Sequence, residues 1–159
     1  ARAQTLVSEG SADIFVAAWM VKGGAFRWAV RAGGSFEDEF SVDQGLSIAV
    51  SEEGLVVVGT IGPKDDEEQH YNTNFNNEQD ILITSDAEYN FIVMKLDCWN
   101  GDLMWYIVGE STSESYAYDV DIDHGYVFFT GEFTEDTIFD ALGKRELVTG
   151  IDADRKSVV

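Results

Sequence analysis

The stretch DVDIDHG (119–125) carries three carboxylates, Asp119, Asp121 and Asp123, spaced two residues apart. On an extended strand that spacing puts all three on one face. Hard cations such as calcium take oxygen ligands of this kind, as D-x-D-x-D-G loops do. Two features weaken the match: Val120 and Ile122 read as the buried face of a strand, and His124 intrudes before Gly125. Calcium at Asp119, Asp121 and Asp123 is the one cofactor expectation, set against the plainer reading of a solvated strand face. Asp97, Asn100 and Asp102 form a second acidic turn, which Asx-type hydrogen bonds to the turn backbone explain.

Trp99 stands in the turn CWNG (98–101) between two apolar runs. An exposed turn aromatic can stack on a sugar ring or on a partner's surface, or fold back over its own sheet. The stretch YNTNFNN (71–77) is aromatic and amide-rich, and Tyr71, Asn72 and Asn74 join Trp99 as the candidate ligand or partner contacts. Trp28 and Trp105 lie on alternating strands and are assigned to the core.

No catalytic constellation is expected. His70 and His124 are the only side chains able to act as a base near neutral pH without a perturbed environment. Neither sits in a motif, and no G-x-S-x-G, H-E-x-x-H or phosphate-cradling glycine loop is present. The single cysteine, Cys98, allows neither an intrachain disulfide nor a cysteine-based zinc site.

Thirty acidic residues against ten basic ones give the 159-residue chain a formal charge of -20. That balance excludes a general nucleic-acid binder, which needs basic groups to neutralise phosphates. It also sets the chain against anionic membranes, and no apolar run approaches the roughly 18 residues of a membrane-spanning helix. Twenty aromatic residues supply ample surface for a core.

The elements that position these residues read as strands. DIFVAAWM (13–20) is followed by Gly23-Gly24, then AFRWAVRA (25–32) alternates apolar and polar faces. LSIAV (46–50) and LVVVGT (55–60) flank the short connection SEEG. The same order recurs: FIVMKLD (91–97), Asn100-Gly101, DLMWYIVG (102–109), AYDVDI (117–122), a turn at 123–125, and YVFFTGEF (126–133). With a shift of 77, Val16 meets Val93, Gly24 meets Gly101 and Trp28 meets Trp105, while Gly54 aligns with Gly125. VTGIDAD (148–154) overlays VMKLDCW (93–99) as the start of a third copy. The copies span about 13–61, 90–144 and 145–159, with a polar insertion over 62–80, all within one repeat region covering 1–159. A period near 50 residues with about four strands per unit belongs to propeller blades.

These units resemble the bacterial seven-bladed β-propeller (SBBP-type) repeats. The resemblance rests on DIFVAAW, GGAFRWAVRAGG and SIAVSEEGLVVVGT in the first copy, and on FIVMKLDCWNGDLMW, YAYDVDIDHG and VFFTGEF in the second. It departs from the pattern at Ala18-Trp19-Met20, where the family carries Lys-Leu-Asp, and at Gly59-Thr60, where the Thr-Gly pair is reversed. It implies an all-β fold of consecutive four-stranded antiparallel blades. A ring of this kind has about 4–8 blades, so two copies and scraps make only a partial ring with exposed strand edges. More of a longer chain, further copies or a partner must complete it.

The expected function is a non-catalytic scaffold or interaction module, placed by the resemblance and the acidity outside the cytoplasm or in the cell envelope. The expected partner is a protein, or the chain itself through its strand edges. The alternatives are a structural subunit of a filament or surface assembly joined edge to edge, and a carbohydrate-binding module using Trp99 and Tyr71 on a glycan.

Overall fold

The computed structural model describes residues 4–8, 12–34, 43–62, 73–76, 79–81, 87–141 and 144–148. Every regular element among them is a strand: β1 (Ile14–Trp19), β2 (Phe26–Gly33), β3 (Gln44–Ser51), β4 (Gly54–Ile61), β5 (Thr73–Phe75), β6 (Gln79–Ile81), β7 (Asn90–Leu96), β8 (Leu103–Ser111), β9 (Ser115–Asp123), β10 (Tyr126–Phe133), β11 (Thr137–Ala141) and β12 (Lys144–Val148). The all-β reading therefore holds. The strands form three antiparallel sheets, ordered β1-β2-β5-β6, β12-β11-β8-β7-β4-β3 and β10-β9, none closed into a barrel.

The sheets are not divided where the sequence copies are divided. Within each copy the four strands were expected to pair in order, yet β2 does not pair with β3, nor β8 with β9. Instead β4 pairs with β7 along its whole length, from Leu55↔Leu96 to Ile61↔Asn90. The unit that stays intact is the hairpin, whose short turn fixes its register. After β2 and after β8 the chain passes into a different sheet instead of turning back on the same one. It does so through ten residues in the first case and only three in the second, so connection length does not decide the partition.

Both faces of the central sheet are apolar, as strands buried on both sides must be. One face carries Leu55, Val57, Ile92, Met94 and Leu96, and packs on Ile14, Val16, Trp28 and Val30 of the β1–β2 hairpin. The other carries Val56, Val58, Phe91 and Val93, and packs on Ala117, Val120, Val127 and Phe129 of the β9–β10 hairpin. The result is three layers, with β4 and β7 innermost.

The polar insertion differs from a plain surface loop. Its residues Thr73–Phe75 and its last two, Gln79 and Asp80, form with Ile81 a small hairpin on the edge of β2, with Ala32↔Phe75 and Gly33↔Asn74 in register. Phe75 and Ile81 are buried in the core, and the hairpin pairs backbone groups that an open edge would leave exposed. The third copy expected at 145–159 falls mostly outside the described residues; Lys144–Val148 pairs with β11, which itself pairs with β8.

Equivalent hairpins share fine geometry. Met20 N–H donates to Ala25 O (2.8 Å) and Gly24 N–H to Met20 O (3.1 Å). Seventy-seven residues on, Asp97 N–H donates to Asp102 O and Gly101 N–H to Asp97 O, both at 2.9 Å. The register slips between Ala18 and Trp19 in β1, and between Lys95 and Leu96 in β7, again 77 apart. The second hairpin type recurs at 72. A Cβ on Gly59 would lie 1.9 Å from Gln44 O, and one on Gly131 would lie 1.9 Å from Tyr116 O. Each glycine sits at a bulge, where Leu46 and Tyr118 are the extra residues.

Candidate functional site

The Trp99 turn is built by its acidic neighbours. Asp97 Oδ1 accepts the backbone N–H groups of Trp99 (2.7 Å) and Asn100 (3.3 Å). Asn100 Oδ1 accepts from Asp102 N–H (3.1 Å), while its Nδ2 donates to Asp102 Oδ2 (2.6 Å). The turn is thereby fixed by Asx-type bonds, and Trp99 projects from it 78% exposed. Beneath it, Cys98 O accepts the indole N–H of the buried Trp28 at 3.0 Å. A fixed turn with an outward indole offers a stacking platform without further ordering cost.

Asn74 is placed elsewhere, on β5, and its side chain serves the fold. Asn74 Oδ1 accepts from Arg31 Nη2 at 2.5 Å, and Arg31 Nη1 pairs with Asp13 at 2.7 Å in a buried bridge. Trp99 stands in the turn beside Trp28, whereas Asn74 is paired with Gly33 at the far end of β2. Tyr71 and Asn72 lie outside the described residues.

Asp119, Asp121 and Asp123 are exposed on β9, with Val120 buried between them. Each has a local partner. Asp119 Oδ1 accepts from Ser47 Oγ (2.8 Å) on β3, Asp121 Oδ1 from Ile122 N–H (2.8 Å), and Asp123 Oδ1 lies 2.7 Å from His124 Nδ1. Among the described residues no three His, Cys, Asp or Glu groups come together closely enough to hold a metal ion. His124 and Gly125, both with positive φ (49° and 79°), are the central residues of the β9–β10 turn, which is the primed hairpin geometry. His124 is there for the turn; His70 lies outside the described residues.

Two groupings were not singled out from sequence. The first is Asp43, buried between sheets, which accepts from Gly62 N–H through Oδ1 (2.8 Å) and from Gly34 N–H through Oδ2 (3.0 Å). Its own N–H donates to Ala12 O at 3.0 Å. Burial pushes its carboxyl up to about 6, further than the two backbone N–H bonds draw it down. This single side chain ties the end of β2, the start of β3 and the end of β4. Asp lies in an acidic loop by sequence, and nothing there signals its burial.

The second is a file of tyrosines. Tyr89 stacks on Tyr116 (5.7 Å between centroids) and Tyr116 on Tyr118 (6.1 Å). Tyr118 Oη donates to Glu132 Oε1 at 2.5 Å, and this bond pushes the phenol up to about 12. Burial, then Glu114, does the same for Tyr116, also to about 12. The Tyr-x-Tyr spacing at 116 and 118 was the available signal, since residues two apart on a strand share a face; Tyr89 comes from just before β7.

Among the described residues there is no helix long and apolar enough to cross a membrane. Comparison with protein-family models, with curated proteins and with solved structures finds no match for the chain.

Proposed function

We propose that this chain is a non-catalytic scaffold of stacked β-hairpin repeats, of the propeller-blade type, that presents edges and turns to a protein partner outside the cytoplasm or in the cell envelope. One observation carries the reading: two hairpin types recur, at offsets of 77 and 72, with the same backbone hydrogen bonds, register slips and glycine contacts. In repeat architectures each unit buries its apolar faces only against its neighbours. Here β3-β4-β7-β8 has the composition of one whole blade, β1–β2 that of the second half of the blade before it, and β9–β10 that of the first half of the blade after. The likeness of the sequence to SBBP-type repeats supports the repeat itself, and together with the charge of -20 it supports the proposed location.

Such a frame positions Trp99 and the free strand edges rigidly, so that recognition needs little reordering. The test is photocrosslinking in the native host, with the reactive side chain placed at Trp99 or at Phe128, both exposed. A discrete protein adduct from either position is expected. Clean absence of adducts from both contradicts the reading. Carbohydrate binding is a second reading that rests on the 78% exposure of Trp99 alone; a glycan array on which parent and Trp99→Ala behave alike removes it.

A further inference from the structure

The two half-blades at the ends of the described fold are complementary. The hairpin β9–β10 corresponds to β3–β4, and β1–β2 corresponds to β7–β8. In the central sheet those two hairpin types join through β4 and β7. Among the described residues β10 pairs only with β9, and β1 only with β2. The geometry points to head-to-tail union of two copies of this chain, in which β10 of one copy pairs antiparallel with β1 of a second copy and completes a four-stranded sheet. This inference rests on the repeat reading above and names its partner.

The register follows from the pairing already present. Val56↔Lys95, Val57↔Met94, Val58↔Val93 and Gly59↔Ile92 in the central sheet become Phe128↔Ala18, Phe129↔Ala17, Thr130↔Val16 and Gly131↔Phe15 between copies. The side chains suit it. The bare backbone of Gly131 faces Phe15, which is 74% exposed, as Gly59 faces Ile92. Phe128 meets the small Ala18. Phe15 and Trp19, both exposed on one copy, would be carried toward the half-buried Trp105 and Ile107 of the other.

One docking contact is specified to the atom. Trp28 seats its ring on Gly101 and donates its indole N–H to Cys98 O. The corresponding residues are Trp105, Gly24 and Val21. The indole N–H of Trp105 finds no acceptor among the described residues, and a Cβ on Gly24 would meet nothing within 4 Å. Union of two copies seats Trp105 of the first on Gly24 of the second, with its N–H directed to Val21 O. A head-to-tail interface of this kind propagates until a ring closes or a filament grows. The charge of -20 on each copy opposes union, so association strengthens as salt screens it.

Two measurements on the full chain test this. By sedimentation across a concentration series at raised salt, the parent is expected to at least double its weight-average mass, while Gly24→Asn stays at the monomer mass of 17.6 kDa. Asparagine tolerates the positive φ at this position and fills only the proposed seat of Trp105. In a Cys98→Ala background, chains bearing Ala18→Cys and chains bearing Phe128→Cys are oxidised separately and mixed. A disulfide dimer in the mixture and in neither chain alone supports the inference. A dimer in either chain alone, a mixture without dimer, a parent that stays monomeric, or a Gly24→Asn chain that associates like the parent overturns it. A monomeric parent whose Phe128 still gives adducts with another protein in the host leaves the scaffold reading standing and removes only the self-union.

Discussion

Trp28 and Cys98, 70 residues apart in the chain, are joined by an indole N–H donated to a main-chain carbonyl at 3.0 Å. The bond crosses from the β1–β2 sheet to the turn of the next, and the same ring lies where a Cβ on Gly101 would fall, at 2.7 Å. A contact that needs both a large aromatic and a bare glycine is sensitive from either side.

Gly101→Ala adds a methyl against Trp28 and strains a φ of 79°. Overpacking costs about 1–3 kcal/mol and the positive φ adds about 1 kcal/mol. The equivalent change Gly24→Ala meets open space, at a φ of 64°, and retains only the smaller cost. Denaturant midpoints of the two variants at low protein concentration should separate clearly, with Gly101→Ala the weaker. Equal losses would contradict the seating of Trp28.

The buried carboxyl of Asp43 makes stability depend on pH. Its folded value, about 6, lies above its ordinary 3.8. The stabilising contribution is therefore complete below about pH 4 and is lost as pH rises through about 6. A difference of about 2 units corresponds to about 3 kcal/mol. Asp43→Asn keeps one acceptor for the N–H groups of Gly34 and Gly62 and removes the titration. The stability gap between parent and Asp43→Asn should narrow by up to that amount from pH 4 to pH 7. A constant or widening gap, measured by urea unfolding, would contradict the burial of Asp43.

Gly59 and Gly131 occupy matching bulges, each too close to a carbonyl for a Cβ. Gly59→Ala disturbs the buried β3–β4–β7 junction and should cost about 3 kcal/mol or more, whereas Gly131→Ala acts on a hairpin paired on one side only and should cost less. Amide exchange locates the two effects: the first raises exchange across the central sheet, the second chiefly along β9–β10. A Gly131→Ala chain with unchanged exchange would speak against the shared bulge.

Trp99→Ala should leave the unfolding free energy within about 0.5 kcal/mol of the parent, as exposed sites do. Asn74→Ala should cost about 1–3 kcal/mol, since it withdraws an acceptor from the buried Arg31. A large loss at Trp99 with none at Asn74 would reverse the roles assigned to the two residues.

Much of the hairpin level was legible in sequence. The glycine turns act locally, and their recurrence at an offset of 77 reappears in matching backbone bonds. The assignment of Trp28 to the core was legible too, although the opposite face of β2, with Ala29 and Arg31, is equally buried and its alternation did not show that. Partition into sheets was not, because the continuous apolar run of β4 reports burial on both faces and does not name the strand that lies beside it opposite β3. Phe75 sits among polar residues, so its burial depends on the open edge of β2 rather than on its own surroundings, whereas Ile81 heads the apolar run ILITS. Asp43 reads as one more acid in an acidic loop, and only tertiary structure surrounds it with N–H donors. Of the candidate site residues, Trp99 projects from its turn as its position suggests, while Asn74 is recruited by Arg31.

The central claim is that hairpins stay whole and join across copies, β4 to β7. Cross-strand nuclear Overhauser contacts in the labelled chain measure this directly. The account expects contacts between Val57 and Met94 and between Val58 and Val93, matching their register, with no ladder joining β2 to β3. A continuous β1-β2-β3-β4 ladder, with β4 and β7 out of contact, would contradict it.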